Sequence, residues 1–387
     1  MTKKARVIAL YLPQYHPIEL NNEWWGNGFT EWNNVAKARP LFKDHYQPKI
    51  PADLGFYDLR LAETREEQAK LAKEAGIEGF CYWHYWLGKG KTLLSRPFDE
   101  VLKSGKPDFP FCLGWANHSW TNTLWTKSKA FHKRTTFFEQ TYVKEEYVDH
   151  FYDVLPAFKD KRYIKVDGKP LFYVFAPRDI PDPEYFITKW QELAKQNGLP
   201  GIYFVGMTSN LLSTVKGKDG KTQFHIASTE EPAAPRYNEI LNMGFDAVNS
   251  RGQYRAELKL SGRFRKYYQT ILRRLFNINF LKVYDYKKII PHLFVEEDKW
   301  ENVYPTLLPN WDRSPRCGKE AMIYHNCTPD LFKKHLEQAC DIIKNKDPEH
   351  RILFLMSWNE WGEGNYVEPD CRYGHGYLDV IKKVLTE

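Results

Sequence analysis

Two acids three positions apart, Glu360 and Glu363, follow the apolar run Ile352-Leu-Phe-Leu-Met356 and are framed by Trp358, Asn359 and Trp361. A carboxyl held against aromatic faces keeps its proton, whereas one that is solvated or hydrogen-bonded stays ionised. A pair divided in this way is what cleavage of a glycosidic bond requires. Gly362 and Gly364 let the backbone turn sharply around the second acid. An acidic pair at a strand end also occurs as a solvated loop or a salt-bridge partner; the flanking tryptophans favour chemistry.

The acids must be positioned by what precedes them. Ile352 to Met356 reads as a strand buried on both faces, bounded by Arg351 and the glycines. Seven more strands are expected, at Val7–Leu12, Ile77–Trp86, Phe109–Ala116, Lys169–Phe175, Ile202–Gly206, Phe245–Asn249 and Val303–Pro309. Helical spacing lies between many of them. One helix covers Leu61 to Ala75 with Gly76 as its left-handed cap, and Asp182-Pro183 opens another that runs to Gly198. Thr328-Pro329 opens a third, whose apolar face carries His335 as a core residue, and Gly376 to Leu385 closes the chain. Eight strands alternating with helices predict an α/β fold, a single (β/α)8 TIM barrel over 1–387 with long βα loops and an inserted basic helical segment at about 254–300.

Function in such a barrel sits at the carboxyl ends of the strands. The first strand is followed by Gln14-Tyr15-His16 and by Trp24-Trp25-Gly-Asn-Gly-Phe-Thr-Glu31-Trp32. Others end in Tyr82-Trp83-His84-Tyr85-Trp86, Trp115-Ala-Asn117-His118-Ser-Trp120 and Asn310-Trp311-Asp312-Arg313. Aromatic platforms and hydroxyl-pairing groups thus gather at one rim, a composition suited to sugar rings. The expected substrate-binding residues are Tyr11, Gln14, Tyr15, His16, Trp25, Glu31, Trp32, Tyr82, His84, Trp86, Trp115, Asn117, His118, Trp311, Asp312, Trp358, Asn359, Trp361 and Tyr366, around Glu360 and Glu363.

Composition narrows the alternatives. Aromatic residues make up 16% of the 387 positions, with 13 Trp, several of them (Trp24, Trp125) in polar, loop-like surroundings. The net charge of +7 comes from dispersed Lys and Arg rather than one stripe, so nucleic acid is not expected as a partner. The six cysteines form no C-x-x-C pair, which excludes the usual zinc and thioredoxin-like patterns. No metal and no cofactor are expected. Buried free thiols, a short N-terminal apolar run ending at Pro13 and no segment of membrane-spanning length point to the cytoplasm.

These stretches also carry a resemblance. Ala9-Leu-Tyr-Leu-Pro-Gln-Tyr-His16, Trp24 to Trp32, His45-Tyr-Gln-Pro48, Asp53 to Asp58 and Trp358 to Gly364 resemble the WbsX-type proteins of bacterial polysaccharide loci, described as having a domain like glycoside hydrolase family 99. The resemblance spans nearly the whole chain. It implies a (β/α)8 barrel acting on an oligosaccharide or polysaccharide, commonly O-antigen or capsule, as in lipopolysaccharide biosynthesis. More distantly the acid motif is similar to that of the family 99 endo-α-mannosidases, where the sugar's own 2-hydroxyl takes part in a retaining reaction. That likeness implies Glu360 as the assisting base and Glu363 as the acid/base. The endo-mannosidase pattern has His where this chain has Gly362, and many WbsX-type proteins have Glu where it has His118.

A nucleotide-sugar transferase reading finds little support in the motifs. No Asp stands two residues from another Asp, Gly90-Lys-Thr92 lacks the first glycine of a phosphate loop because Tyr85 holds its place, and no G-x-G-x-x-G follows a strand. A transferase with another donor, a transglycosylase and a non-catalytic glycan-binding protein stay open beside a hydrolase. The basic, aromatic segment Arg263 to Phe276 suits either peripheral contact with an anionic membrane surface or an outer helix with snorkelling side chains. The oligomeric state is not legible.

Overall fold

The structure, a computed structural model, describes residues 4–121, 136–211, 228–262 and 280–386, with shorter stretches or isolated positions inside 212–227 and 263–279. Trp125 and nine of the fourteen residues of the basic segment 263–276 lie outside the described residues.

Eight parallel strands close on themselves. They are β1 (Arg6–Tyr11), β2 (Gly79–Trp86), β3 (Phe111–Trp115), β4 (Lys169–Val174), β5 (Tyr203–Ser209), β6 (Ala247–Arg251), β7 (Val303–Leu307) and β8 (Ile352–Leu355). Each pairs with its successor, and β8 returns to β1 with Arg6 against Ile352 and Ala9 against Leu355. This is the predicted (β/α)8 barrel, with every strand overlapping its expected position.

Each strand is covered on both sides, which explains why the strands read as unbroken apolar runs rather than as alternating ones. Inside, Tyr173 packs between Trp83 and Phe354 at ring distances of 5.6 and 5.0 Å, and its hydroxyl donates to Asn249 Oδ1 at 2.8 Å. Gly114 on β3 makes room for this filling, since a Cβ there would meet Cys81 Sγ at 3.0 Å and the Trp83 ring at 3.2 Å. Outside, helices such as Ala62–Glu74, Lys144–Phe158, Pro183–Gln196 and Pro329–Ile343 bury their apolar faces.

The termini of these helices follow local chemistry. Thr328 caps Pro329–Ile343 by accepting from the Leu331 amide, with Pro329 at the first turn. Asp182 precedes Pro183–Gln196 as expected but makes no capping hydrogen bond; its carboxylate lies 3.8 Å from Lys144 instead. His335 is buried, its Nε2 accepting from the Leu308 amide at 3.1 Å and its ring stacked on Phe294. In the insert, helix Gln253–Ser261 is followed by strand Lys282–Asp285, which pairs in parallel with Met322–His325. Among the described residues no helix is long and apolar enough to cross a membrane.

Candidate active site

Beyond β8 the chain enters a two-residue antiparallel ladder, Asn359 against Tyr366 and Glu360 against Asn365, that encloses the single 3-10 turn Trp361–Glu363. The turn is clamped from beneath. Asn359 exchanges two hydrogen bonds with the Leu12 backbone at 2.8 and 3.0 Å, tying β8 to β1. The Tyr15 hydroxyl donates to the Asn359 carbonyl and accepts from the Trp361 amide. Trp361 stacks on Tyr366 at 3.7 Å and donates from Nε1 to the buried carboxylate of Glu368 at 2.6 Å. Burial pushes Glu368 up to about 7 although Trp361, Gln68 and Tyr57 all hydrogen-bond it.

Both acids rest on one guanidinium. Arg316 Nη1 lies 3.0 Å from Glu360 Oε1 and 2.7 Å from Glu363 Oε1, while Nη2 lies 2.7 Å from Glu31 Oε1. The two acid oxygens are therefore under ~6 Å apart. Two carboxyls that share one guanidinium nitrogen are close enough to flank one glycosidic bond, as the acid pair of a glycosidase does. Arg313 adds a second cation, with Nε 3.1 Å from Glu363.

The environments divide the pair. Burial, and then the neighbouring Glu363 carboxylate, raise the Glu360 carboxyl above its ordinary range against the pull of Arg316. Burial also opposes ionisation of Glu363, but Arg313 and Arg316 outweigh it and hold Glu363 below the ordinary range. Glu31, fully enclosed, is pushed by burial up to about 7 in spite of Arg316. One acid of the pair thus keeps its proton more readily than the other, the division that acid–base cleavage needs.

Above the acids opens a cleft of about 450 Å³ at the carboxyl ends of the strands. Of the expected substrate-binding residues it is lined by Gln14, His118 and Trp311, together with Glu360 and Glu363. Gln14 Nε2, His118 Nδ1 and Trp311 Nε1 are buried without a hydrogen-bond partner among the described residues. Burial lowers the His118 pKa and so favours its neutral ring.

The other expected residues stand elsewhere. Tyr15, Trp32, Asp312, Trp358, Asn359, Trp361 and Tyr366 form the packed layer beneath and around the acids; Asp312 is held there by His45 at 2.8 Å and Gln47 at 2.6 Å, and against burial His45, Lys49 and Ser314 lower its pKa to about 2. Glu31 is ion-paired to the shared Arg316 and packs beside Gly362 of the acid turn. Tyr82, His84, Trp86 and Trp115 point away from the cleft, into the layer between strands and helices, and are corrected to core residues. His84 Nε2 meets His150 Nε2 at 3.0 Å, Trp86 stacks on the His150 ring, Trp115 packs on Phe186, and Tyr82 packs on Phe98. Tyr11 likewise turns outward to Gln68, Asn117 ties β3 to the Ala176 backbone, and His16 is buried. Trp25 lies off the cleft beside Phe29 and Phe137.

The sequence reading missed Trp83, Tyr85, Phe175, Met207, Arg251, Arg313 and Arg316 as lining groups. Strand parity was the available signal for two of them: Trp83 and Tyr85 alternate with Tyr82, His84 and Trp86, so one set must face inward and the other outward. Arg316 had no such signal, because it rides on the one-turn helix Ser314–Cys317 that follows the Asp312-Arg313 corner.

Comparisons with known proteins bear on this site. A family model described as Glycosyltransferase WbsX matches residues 7–381. The chain belongs to the WbsX family. Two relatives, each the uncharacterized protein WxcX of a strain of Xanthomonas campestris pv. campestris, are 31% identical over all of this chain, which spans about half the length of these WxcX relatives. Among solved structures, a glycoside hydrolase-like protein superposes with a TM-score of 0.60 at 15% identity, covering 99% of this chain and 94% of that one. The family 99 endo-alpha-mannosidase from Bacteroides thetaiotaomicron, in complex with bis-tris-propane, gives 0.53 at 12% identity, covering 99% and 96%. At such identities the likeness concerns the fold. The family's description, a glycosyltransferase, is that of carbohydrate-active proteins.

Proposed function

We propose that this chain breaks or transfers a glycosidic bond of a bacterial surface polysaccharide by a retaining route, with Glu360 donating the proton and Glu363 working ionised. The observation that carries the reading is the shared contact of both acids with Arg316, which brings the two carboxyls together, while Arg313 biases the charge onto Glu363. Glu360 protonates the departing glycosidic oxygen. Ionised Glu363 either attacks the anomeric carbon or removes the proton of a participating 2-hydroxyl. In the second half Glu360, now a carboxylate, takes a proton from the incoming water or sugar hydroxyl. These roles reverse those implied by the endo-mannosidase resemblance, because two guanidiniums on Glu363 favour its ionised form.

The family's description favours transfer over hydrolysis, and the same acids serve either acceptor. The six cysteines are free thiols, which supports a reducing, cytoplasmic setting. Contact of the basic segment 263–276 with an anionic membrane would bring such an enzyme to lipid-linked glycans.

The test is turnover of bacterial polysaccharide fragments by Glu360→Gln and Glu363→Gln. Both are expected to lose at least ~10²-fold in kcat. With a fluoride or dinitrophenyl leaving group, which needs no protonation, Glu360→Gln should recover its first step and Glu363→Gln should not. Free reducing ends mark hydrolysis, and a lengthened glycan marks transfer. Full activity in both variants would overturn the reading.

A further inference from the structure

Three guanidiniums line the cleft, those of Arg251, Arg313 and Arg316, against two carboxylates, Glu360 and Glu363. Adding Glu31 beneath Arg316 gives three acids. The reaction proposed above needs one acid of the pair to hold a proton, so at least one positive charge remains uncompensated in a cleft walled by Trp83, Phe175 and Trp311.

That excess has a location. Arg316 is spent on Glu31, Glu360 and Glu363. Arg313 reaches Glu363 through Nε, and its terminal nitrogens meet no protein acceptor among the described residues. Arg251, the last residue of β6, is half-buried and has neutral partners. Its Nε and Nη2 donate to Gln253 Oε1 at 3.1 and 2.7 Å, and its Nη1 lies 3.6 Å from Met207 Sδ. No carboxylate of the described residues forms an ion pair with it; Glu363 feels its charge only from beyond that distance. An amide and a thioether orient this side chain without neutralising it. A partly desolvated cation without a counter-ion costs stability unless an anion completes it.

We infer that the saccharide acted on carries an anionic group, a sugar carboxylate or a phosphate monoester, received by Arg251 and Arg313 at the mouth of the cleft. A guanidinium fork matches either group with two parallel hydrogen bonds. Gln14, His118 and Trp311 serve the neutral hydroxyls of the same chain. The inference rests on the reading that Glu360 and Glu363 act on a glycan, since that reading sets the charge balance.

The test measures binding rather than turnover, so either idea can fail alone. The full chain is titrated calorimetrically with a glucuronic acid-containing oligosaccharide, with the same oligosaccharide after carboxyl reduction, and with its 6-phosphorylated neutral counterpart. At least one charged probe is expected to bind ~10-fold or more tightly than the reduced one. Preference for the uronate identifies a carboxylate, and preference for the phosphorylated probe a phosphate. Arg251→Gln should bring the charged probe down to the neutral one. It should also raise the Tm of the ligand-free protein, because a merely structural arginine would lower it when removed. Charged probes that bind no better than the reduced form, whether all bind or none does, overturn the inference. So does a fall in Tm for Arg251→Gln.

Discussion

A Cβ on Gly362 would stand 1.9 Å from Oε2 of Glu31 and 2.9 Å from Nε of Arg316. The missing side chain at one position thus allows the buried ion pair at the other, and the Glu31 carboxylate fills the space next to the acid turn. Gly362→Ala is expected to cost about 1–3 kcal/mol by crowding and to dislodge Arg316 from the acids. The double variant Gly362→Ala, Glu31→Ala should lose less than the sum of the single losses in urea unfolding. Strict additivity would show that the two positions do not share this space.

Arg316 holds three carboxylates, and removing it leaves buried charge unmatched. Arg316→Gln should lower stability by about 3–5 kcal/mol. Arg316→Lys keeps the charge but not the fork, so its loss should be intermediate. Chemical denaturation of the three proteins at one pH decides it; equal stability of all three would mean the acids relax into solvent.

The split in the pair predicts a bell-shaped dependence of kcat/KM on pH. Glu363, depressed by Arg313 and Arg316, must be ionised, so activity falls only as pH drops through its lowered pKa. Glu360, raised by burial and Glu363, must be protonated, so activity falls as pH climbs through its raised pKa. Glu360→Gln should abolish the alkaline limb with the activated substrate. A profile in which the acid limb disappears instead would assign the proton to Glu363.

Glu368 couples the same layer to stability. Its folded pKa, pushed up to about 7 by burial, exceeds that of an unfolded glutamate near 4.3, so the folded state binds the extra proton. Stability from this group is fully present below about pH 4.3 and is lost as pH rises to about 7, a change on the order of 3 kcal/mol. Glu368→Gln should flatten that slope in urea titrations at pH 5 and pH 8. An unchanged slope would place the proton elsewhere.

Trp83 and Trp86 separate binding from packing on one strand. Trp83 lines the cleft, so Trp83→Ala should raise KM or weaken glycan binding. Trp86 is stacked on His150 in the core, so Trp86→Ala should cost about 3–5 kcal/mol of stability. Paired measurements of KM and unfolding on both variants would reveal an exchanged pattern if β2 had the opposite parity.

The barrel was readable from the sequence because parallel strands announce themselves as apolar runs, and Thr328-Pro329 and Gly76 punctuate the helices between them. The acids were readable because Trp358 and Trp361 bracket them. Which side of each strand faces the substrate was not, since in β2 both faces are aromatic and no polar alternation marks the inner one. The arginines were also hidden. Arg251 and Arg316 come from β6 and from a turn after β7, more than 40 residues from the acids, and charge at a distance leaves no local pattern.

The hydrogen bonds between Asn359 and Leu12 join positions 347 residues apart. The acid turn therefore takes its final shape only after the first and last strands meet. During synthesis the β1 half of this clamp, Tyr15 included, emerges well before the acids that it grips. Assembly of the barrel acts as a timer: the glutamates and the surface that aims them come into register together, at the moment the ring closes.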